Sequence, residues 1–154
     1  MNTSPSVGGF KGFQYVANSP VAHVEICRAL DMVANPNNIN LSLWKDGRLR
    51  GVVMYERFTQ RAIFLHIAGF EPGWGNRKFL WLAFHYPFEQ LGVDKIFGLV
   101  SSNNKAALTF FRKLGFTVET SIKEVYVDGA DQVVLVMQKN DCKWLKLKVN
   151  HGPV

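Results

Sequence analysis

The chain has 154 residues, of which 47% are hydrophobic and 13% aromatic, and its formal net charge is +6. This length fits one domain, and the apolar content can bury a sizeable core, which excludes a disordered chain. No apolar run reaches the ~20 residues that span a bilayer, and residues 1–9 lack the layout of a secretory signal. Cys27 and Cys142 are too few for a disulfide framework or a zinc site, so we expect reduced thiols in a cytosolic protein.

The net charge favours polyanionic partners in general, either nucleic acid or a cofactor that carries phosphate. The positive charges are dispersed, and the densest basic segment is a C-terminal tail over 140–154. Lys143, Lys146 and Lys148 alternate there with apolar residues, as in an edge strand. We therefore expect a solvated strand face, and a nucleic-acid surface is the less favoured alternative.

Hydrophobic periodicity and turn residues predict three helices and seven strands. In chain order they are a strand over 10–16, a helix over 20–33, strands over 40–44, 48–58 and 62–70, a helix over 76–92, a strand over 94–100, a helix over 104–114, and strands over 117–127 and 132–138. This order predicts a single α/β domain with a mixed sheet, whose core covers about residues 10–139.

Local signals set several of these boundaries. Ser19 before Pro20 marks the start of the first helix, and Asp46-Gly47 marks a two-residue hairpin turn. Pro87 should end or kink the second helix, because proline removes a backbone donor. The first helix carries an apolar face formed by Val21, Val24, Cys27 and Leu30.

Residues 101–116 form the most informative segment. Asn103 or Asn104 can cap a helix that Gly115 closes, and one face of that helix is apolar. The segment resembles the acyl-CoA-binding signature of the GNAT superfamily of N-acetyltransferases, which reads roughly Asn-x-x-Ala-x-x-x-Tyr-x-x-x-Gly-Phe. The matching residues here are Asn104, Ala107, Phe111, Gly115 and Phe116. Phenylalanine replaces the signature tyrosine.

The resemblance implies the GNAT fold, in which two strands of a central mixed sheet splay apart and coenzyme A lies between them. Those strands would be the ones over 62–70 and 95–100. The pantetheine arm would meet the backbone of Ile67, Ala68 and Gly69 on one side. On the other side it would meet the helix residues Asn104, Ala107 and Phe111.

The loop over 71–76 would hold the diphosphate, because backbone amides can converge there on a helix N-terminus. GNAT proteins carry Gln/Arg-x-x-Gly-x-Gly/Ala at this place, and the match is partial. In one alignment Gly73 and Gly75 occupy the two small positions of this pattern. In the other alignment, which is slightly favoured, Gly75 occupies the first small position and Arg77 stands at the second. Basic side chains of the first helical turn would compensate through direct phosphate contacts. The expected diphosphate site comprises Gly73, Trp74, Gly75, Asn76, Arg77 and Lys78.

Acetyl transfer to an amine needs a neutral amine, a stabilised oxyanion and a proton for the leaving thiolate. Many GNAT enzymes take that proton from the signature tyrosine, but Phe111 has no hydroxyl. Tyr126, which a late strand places on the acceptor side in this fold, and Tyr86 are the candidate replacements. The alternative for both is a buried tyrosine with a satisfied hydroxyl.

The base has three candidates. His66 comes first, because it lies on the strand that would flank the thioester and its unperturbed pKa is near ~6.5. Glu71 and Glu56 follow. The competing interpretations are a packed core histidine and proton removal through ordered water.

The sequence therefore predicts an acetyl-CoA-dependent N-acetyltransferase that works by direct attack, without a metal or a covalent enzyme intermediate. The acceptor would be a protein N-terminus or lysine, a small amine, an aminoglycoside-like amine or an amino acid. The alternatives are a catalytically decayed CoA-binding or protein-interaction module, and a GNAT-like protein that modifies or binds nucleic acid. Residues 84–92 resemble a segment of GNAT proteins from phages and their bacterial hosts, which implies a bacterial cytoplasm. A homodimer would be usual for the fold.

Overall fold

The structure, a computed structural model, describes residues 6–10 and 12–147. In chain order the main elements of that part are β1 (Ser6–Phe10), β2 (Phe13–Ala17), α1 (Pro20–Leu30), β3 (Ile39–Lys45), β4 (Arg48–Glu56), β5 (Ala62–Gly69), α2 (Arg77–His85), β6 (Lys95–Ser101), α3 (Lys105–Leu114), β7 (Thr117–Ile122) and β8 (Gln132–Gln138). The eight strands found there form one mixed sheet in the order β1-β2-β3-β4-β5-β6-β8-β7. The predicted α/β fold class is confirmed, with β1 as an additional strand.

Strands β5 and β6 are parallel, whereas every other described strand pair is antiparallel. In the described structure they pair at three positions, of which the last is Phe64 with Phe97. Beyond it β5 stays paired with β4 as far as Gly69, and β6 stays paired with β8 as far as Ser101. The two strands therefore part and leave an opening in the middle of the sheet.

The two faces of the sheet carry cores of different size. Helix α1 covers one face, where it buries a small cluster that comprises Ala22, Ile26, Cys27, Val52, Met54 and Ala68. Helices α2 and α3 belong to a much larger core on the other face, which is rich in aromatic residues such as Phe79, Phe84, Phe88, Phe111 and Phe116. Most of the apolar burial therefore lies on the α2–α3 face.

The predicted apolar face of α1 is wrong at three of its four positions, and only Cys27 is buried as predicted. Val21, Val24 and Leu30 are 42%, 49% and 37% exposed, while Ala22 and Ile26 are completely buried. The rotation of the helix is set at its N-cap, Ser19. The buried Ser19 accepts a hydrogen bond from the N–H of Ala22 and donates its own N–H to the Asn40 side chain. This long-range anchor overrides the local pattern.

The predicted helix ends are confirmed for α2 and α3. Asn76 caps α2, and Pro87 ends its α-helical part, which continues as a π-helical turn over Tyr86–Gln90. Asn104 caps α3, and Gly115 closes it with φ of 114°, a left-handed conformation that suits glycine.

Two predictions near the C-terminus are wrong. Strand β7 ends at Ile122, several residues earlier than expected. The described part of the tail, residues 140–147, forms 3₁₀ turns, including Lys143–Lys146, instead of a strand. The reason is Trp144, whose ring lies parallel to Phe84 and whose Nε1–H donates to the Leu114 carbonyl at 2.7 Å. Lys148 lies outside the described residues.

Candidate functional site

The opening between β5 and β6 leads into a cavity of about 470 Å³. The C-terminal end of α1, both parted strands and the start of α3 form its walls. Of the site residues predicted from sequence, those among its described lining residues are Glu56, His66, Ile67, Asn104, Ala107, Phe111 and Tyr126. The fold thus brings together residues from four separate stretches of the chain.

A histidine–carboxylate pair lies in this cavity. His66 is 9% exposed, and its Nε2 lies 2.7 Å from Oε1 of Glu56. With Glu56 ionised, Nε2 must be the donor, which leaves Nδ1 as the proton-accepting atom of the neutral ring. Asn38 lies 3.5 Å from the other carboxylate oxygen through its Nδ2. The carboxylate can therefore orient the imidazole and stabilise its protonated form.

The sequence ranked Glu56 last among the candidate bases and did not pair it with His66. The strand register explains the pairing. His66 lies opposite Met54, and Glu56 follows two residues later on the same face of β4. The sequence contained this signal in residues 57–61, which join the two strands and whose length helps to set their register.

Tyr126 lines the cavity from the loop between β7 and β8, and its hydroxyl accepts a hydrogen bond from Nε2 of Gln132 at 3.3 Å. Tyr86 lies elsewhere, with its ring centroid 5.3 Å from that of Tyr55, and burial raises its pKa. Phe111 is 5% exposed and packs on the backbone of β6 at Gly98. A β-carbon at Gly98 would lie 2.5 Å from the Phe111 ring.

The loop after β5 is tied to β4. The Phe70 N–H donates to the Arg50 carbonyl at 2.8 Å, and the Arg50 guanidinium donates to the Gly73 carbonyl at 3.3 Å. Glu71 forms ion pairs with Arg48 at 2.9 Å and with Arg50 at 3.5 Å. Glu71 is not among the described residues that line the cavity. Its carboxylate holds the loop instead.

Trp74 anchors the same loop to the sheet. Its indole lies over Gly51 and Gly69, which are paired neighbours on β4 and β5. A β-carbon at either glycine would lie within 2.4 Å of the indole, so no other residue fits without moving the ring. The ring also contacts Phe79 and Phe110, at centroid distances of 5.9 and 5.6 Å. This role of Gly51 was not predicted from the sequence, although a glycine within a strand is the usual signal for such a close contact.

The start of α2 is built from polar contacts. The Asn76 side chain accepts the Phe79 N–H and donates to the Tyr15 hydroxyl, both at 2.8 Å. Arg77 is exposed, whereas Lys78 is buried with its Nζ 5.1 Å from the centre of the Tyr15 ring. The Lys78 ammonium thus lies against β2, whereas the exposed Arg77 and the N-terminus of α2 are the groups of this segment that can attract an anion.

The start of α3 lies across the opening from β5. Oδ1 of Asn104 accepts the Ala107 N–H at 3.1 Å, and the side chain lines the cavity. Because the oxygen serves as the helix cap, the amide Nδ2 is the atom with which Asn104 can contact a ligand.

In the described part of the chain, no three or more His, Cys, Asp and Glu side chains are grouped so that they could hold a metal ion. Within residues 6–10 and 12–147, no helix has the length and apolarity needed to cross a membrane.

No protein-family profile matches the sequence, and no curated protein matches it either. Solved structures do match. A protein assigned as an acetyltransferase from T. thermophilus has a TM-score of 0.67 and 16% identity, over 92% of this chain and 93% of that one. A second assigned acetyltransferase has a TM-score of 0.68 and 16% identity, over 88% and 87%. A mutant of the spermidine N-acetyltransferase SpeG from Vibrio cholerae has a TM-score of 0.59 and 20% identity, over 70% and 67%.

The likeness extends over most of the chain, and it agrees with the parted parallel strands and with the Asn104 helix motif. The protein therefore has the fold of the GNAT acetyltransferases.

Proposed function

We propose that this protein is an N-acetyltransferase that transfers the acetyl group of acetyl-CoA directly to a primary amine. The observation that carries the proposal is the opening between β5 and β6, whose cavity contains the His66–Glu56 pair and the Asn104 side chain. The named structural neighbours are acetyltransferases, which agrees with this reaction class.

The cofactor would lie in the opening with its arm along β5. Backbone groups around Ile67, Ala68 and Gly69, on the edge of β5 that is no longer paired with β6, would bind the pantetheine amides, and the α3 residues Asn104, Ala107 and Phe111 would contact it from the other side. Backbone N–H groups at the start of α2 have no intrahelical acceptors, so they can bind the diphosphate. The diphosphate site would comprise Gly73, Trp74, Gly75, Asn76, Arg77 and Lys78. In the described structure an added β-carbon at Gly75 meets no atom within 4 Å, so the backbone there is open to a ligand.

In the proposed reaction the neutral amine attacks the thioester carbonyl carbon. The C–N bond forms, the C–S bond breaks, and the electron pair of that bond leaves on the CoA sulfur. Nδ1 of His66 accepts the amine proton, directly or through water, and Glu56 stabilises the imidazolium. A backbone N–H of the parted β5 would stabilise the oxyanion. Tyr126 would protonate the thiolate, because Phe111 cannot.

A decayed CoA-binding or protein-interaction module is the second candidate, since Phe111 occupies the tyrosine position and is buried against Gly98. The two candidates differ in turnover. A decayed module would bind CoA without catalysis, whereas the proposed enzyme would release CoA thiol when an amine is added. We favour the enzyme because the His66–Glu56 pair is intact.

The test combines binding with turnover. Mass spectrometry of the native protein should detect a CoA species carried through purification, and a thiol assay with an amine panel should detect release of CoA. Gly75→Ala is the informative variant, because the added methyl group has room and Gly75 is not among the glycines with positive φ. Its melting temperature should stay unchanged while CoA affinity falls. If Gly75→Ala binds CoA as tightly as the parent protein, the diphosphate site is wrong.

We further propose that the acceptor is a small-molecule or protein amine and that the protein acts in a bacterial cytoplasm, or in a host cytoplasm if a phage encodes it. Both cysteines are free and buried, which agrees with a reducing compartment. One matching structure of the V. cholerae spermidine enzyme is described as dodecameric, which agrees with self-association in this fold. A homodimer is the assembly that we propose here.

A further inference from the structure

Arg57 has a backbone conformation that disfavours its own side chain. It follows the last residue of β4 with φ of 56°, in the left-handed region. Residues with a β-carbon rarely adopt this conformation, and when they keep it the position is often functional. Glycine would fit the turn without strain, yet the chain has an arginine there.

The side chain of Arg57 lies where two cavities meet. It lines the cavity of the proposed active site and also a neighbouring cavity of about 520 Å³, and Glu56 is shared in the same way. The guanidinium carbon lies 5.4 Å from the centre of the Phe64 ring. The Phe64 ring therefore lies against one side of the guanidinium. The Arg57 side chain is 65% exposed, so its other side is open to solvent.

The ion pairing of Arg57 is weak. Its Nε lies 4.0 Å from Oε1 of Glu56, an oxygen that is also 2.7 Å from His66. This is the one ion pair of Arg57 in the described part of the chain, and it does not use the two terminal nitrogens of the guanidinium. Those nitrogens present the planar fork that binds a carboxylate through two hydrogen bonds.

Arg57 supplies the permanent positive charge of the described walls of the two cavities, which otherwise carry two carboxylates. Among their described lining residues, Arg57 is the sole permanently charged cation, and the carboxylates are Asp31 and Glu56. Glu56 is already engaged by His66. A polyamine whose reacting nitrogen lay near His66 would bring a second ammonium group close to the guanidinium, and like charges repel. A carboxylate at the same place would be attracted.

We propose that Arg57 binds a carboxylate of the acceptor, so that the substrate class is a small primary amine that carries a carboxylate, as amino acids do. This inference rests on the proposed acetyl transfer. The amine would lie beside His66 and the carboxylate beside Arg57. The second cavity, which has Asn35, Asn37 and Asn38 on its wall, would receive the remainder of the molecule. The substrate class therefore differs from the spermidine named for the V. cholerae structural neighbour.

The test uses Arg57→Gly, because glycine relieves the backbone strain while it removes the guanidinium. Its matched control is Gln60→Gly, which relieves a similar positive φ of 74° at a residue outside both cavities. Arg61→Gln controls for loss of positive charge, since Arg61 is an exposed residue paired with Asp94. All three proteins should melt at or above the parent temperature, or only slightly below it for Arg61→Gln.

The assay compares an α-amino acid, its neutral carboxamide and spermidine as acceptors at saturating acetyl-CoA. The parent and both controls should prefer the amino acid, and Arg57→Gly should lose about tenfold or more of that preference, mainly through KM. Arg57→Lys should restore part of it. Differences in amine basicity cancel, because the quantity measured is the change in the amino acid-to-carboxamide ratio between enzymes.

Three outcomes separate the two proposals. If CoA is bound but no amine from any class is acetylated, the proposed function fails, and this inference fails with it. If amines are acetylated but Arg57→Gly keeps the parental ratio, only the carboxylate proposal is overturned. The same holds if spermidine is the best acceptor of the parent enzyme.

Discussion

The two faces of the sheet meet at the opening between β5 and β6, and they differ in composition. The α1 face has a small core and carries the polar pair His66 and Glu56. The α2–α3 face has a large aromatic core, in which Trp74 and Phe111 lie on glycine backbones. Burial of apolar surface is the main favourable term in folding, so the large core supplies most of the stability. The α1 face, with its smaller core, can then hold buried polar groups, although burying such groups costs stability.

The largest expected effect tests the aromatic core. Phe84 is completely buried and packs against Phe116 and Trp144. We expect Phe84→Ala to lower the free energy of unfolding by about 3–5 kcal/mol, from lost transfer energy and the cavity left behind. Phe58→Ala is the control, because Phe58 is 50% exposed, and it should change stability by about 0.5 kcal/mol or less. Denaturant unfolding measures both, and similar losses would contradict the comparison.

The next effect tests the polar pair on the α1 face. Glutamine at position 66 can still donate to Glu56 but cannot act as a base near neutral pH. We expect His66→Gln to lower kcat/KM by about 100-fold or more, equivalent to about 2.7 kcal/mol of barrier, with little change in stability. His85→Gln is the control, because His85 stacks on Trp81 and does not line the cavity. Full activity of His66→Gln in the thiol assay would show that the general base is another group or water.

A smaller effect is expected where α3 packs on the sheet. A methyl group at Gly98 would lie 2.5 Å from the Phe111 ring and must displace it. We expect Gly98→Ala to cost about 1–3 kcal/mol of unfolding free energy, as overpacked cores do. Gly75→Ala has room for its methyl group and should cost far less. Equal stabilities of the two variants in denaturant titration would show that Phe111 can move freely.

The smallest effect concerns the loop that carries Tyr126. Asp131 accepts hydrogen bonds from the Glu124 N–H at 3.1 Å and from Lys123 at 3.3 Å, and these bonds lower its pKa below the usual 3.8. A lowered pKa in the folded state contributes stability that is present above pH 3.8 and is lost as the pH falls through the folded-state value.

Asp131→Asn should therefore melt slightly below the parent protein at pH 7, and the difference should shrink as the pH falls below 3.8. Thermal melts across this range provide the measurement. Melts in high salt are the control, because salt screens the exposed Lys123 pair and leaves the backbone hydrogen bond. A difference that persists unchanged at the lowest pH would indicate a cause other than the carboxylate charge.

Features set by neighbouring residues were readable in the sequence. The cap at Asn104, the closing Gly115 and the stop at Pro87 each depend on the φ preference or on the donors and acceptors of a few adjacent residues. The order of strands and helices follows from periodicities that are just as local. Together with the Asn104 motif, this order was enough to predict the fold.

Other features arise from contacts between distant parts of the chain. The rotation of α1 is set by the hydrogen bond that the Ser19 N–H donates to the Asn40 side chain. The path of the tail is set by the hydrogen bond that the Trp144 indole donates to the Leu114 carbonyl. His66 meets Glu56 only because the register of β4 and β5 brings them together. Hydrogen bonds and packing across such sequence separations outweigh local propensity. The sequence by itself therefore determined the elements and their order, and the tertiary structure decided which side chains face the opening.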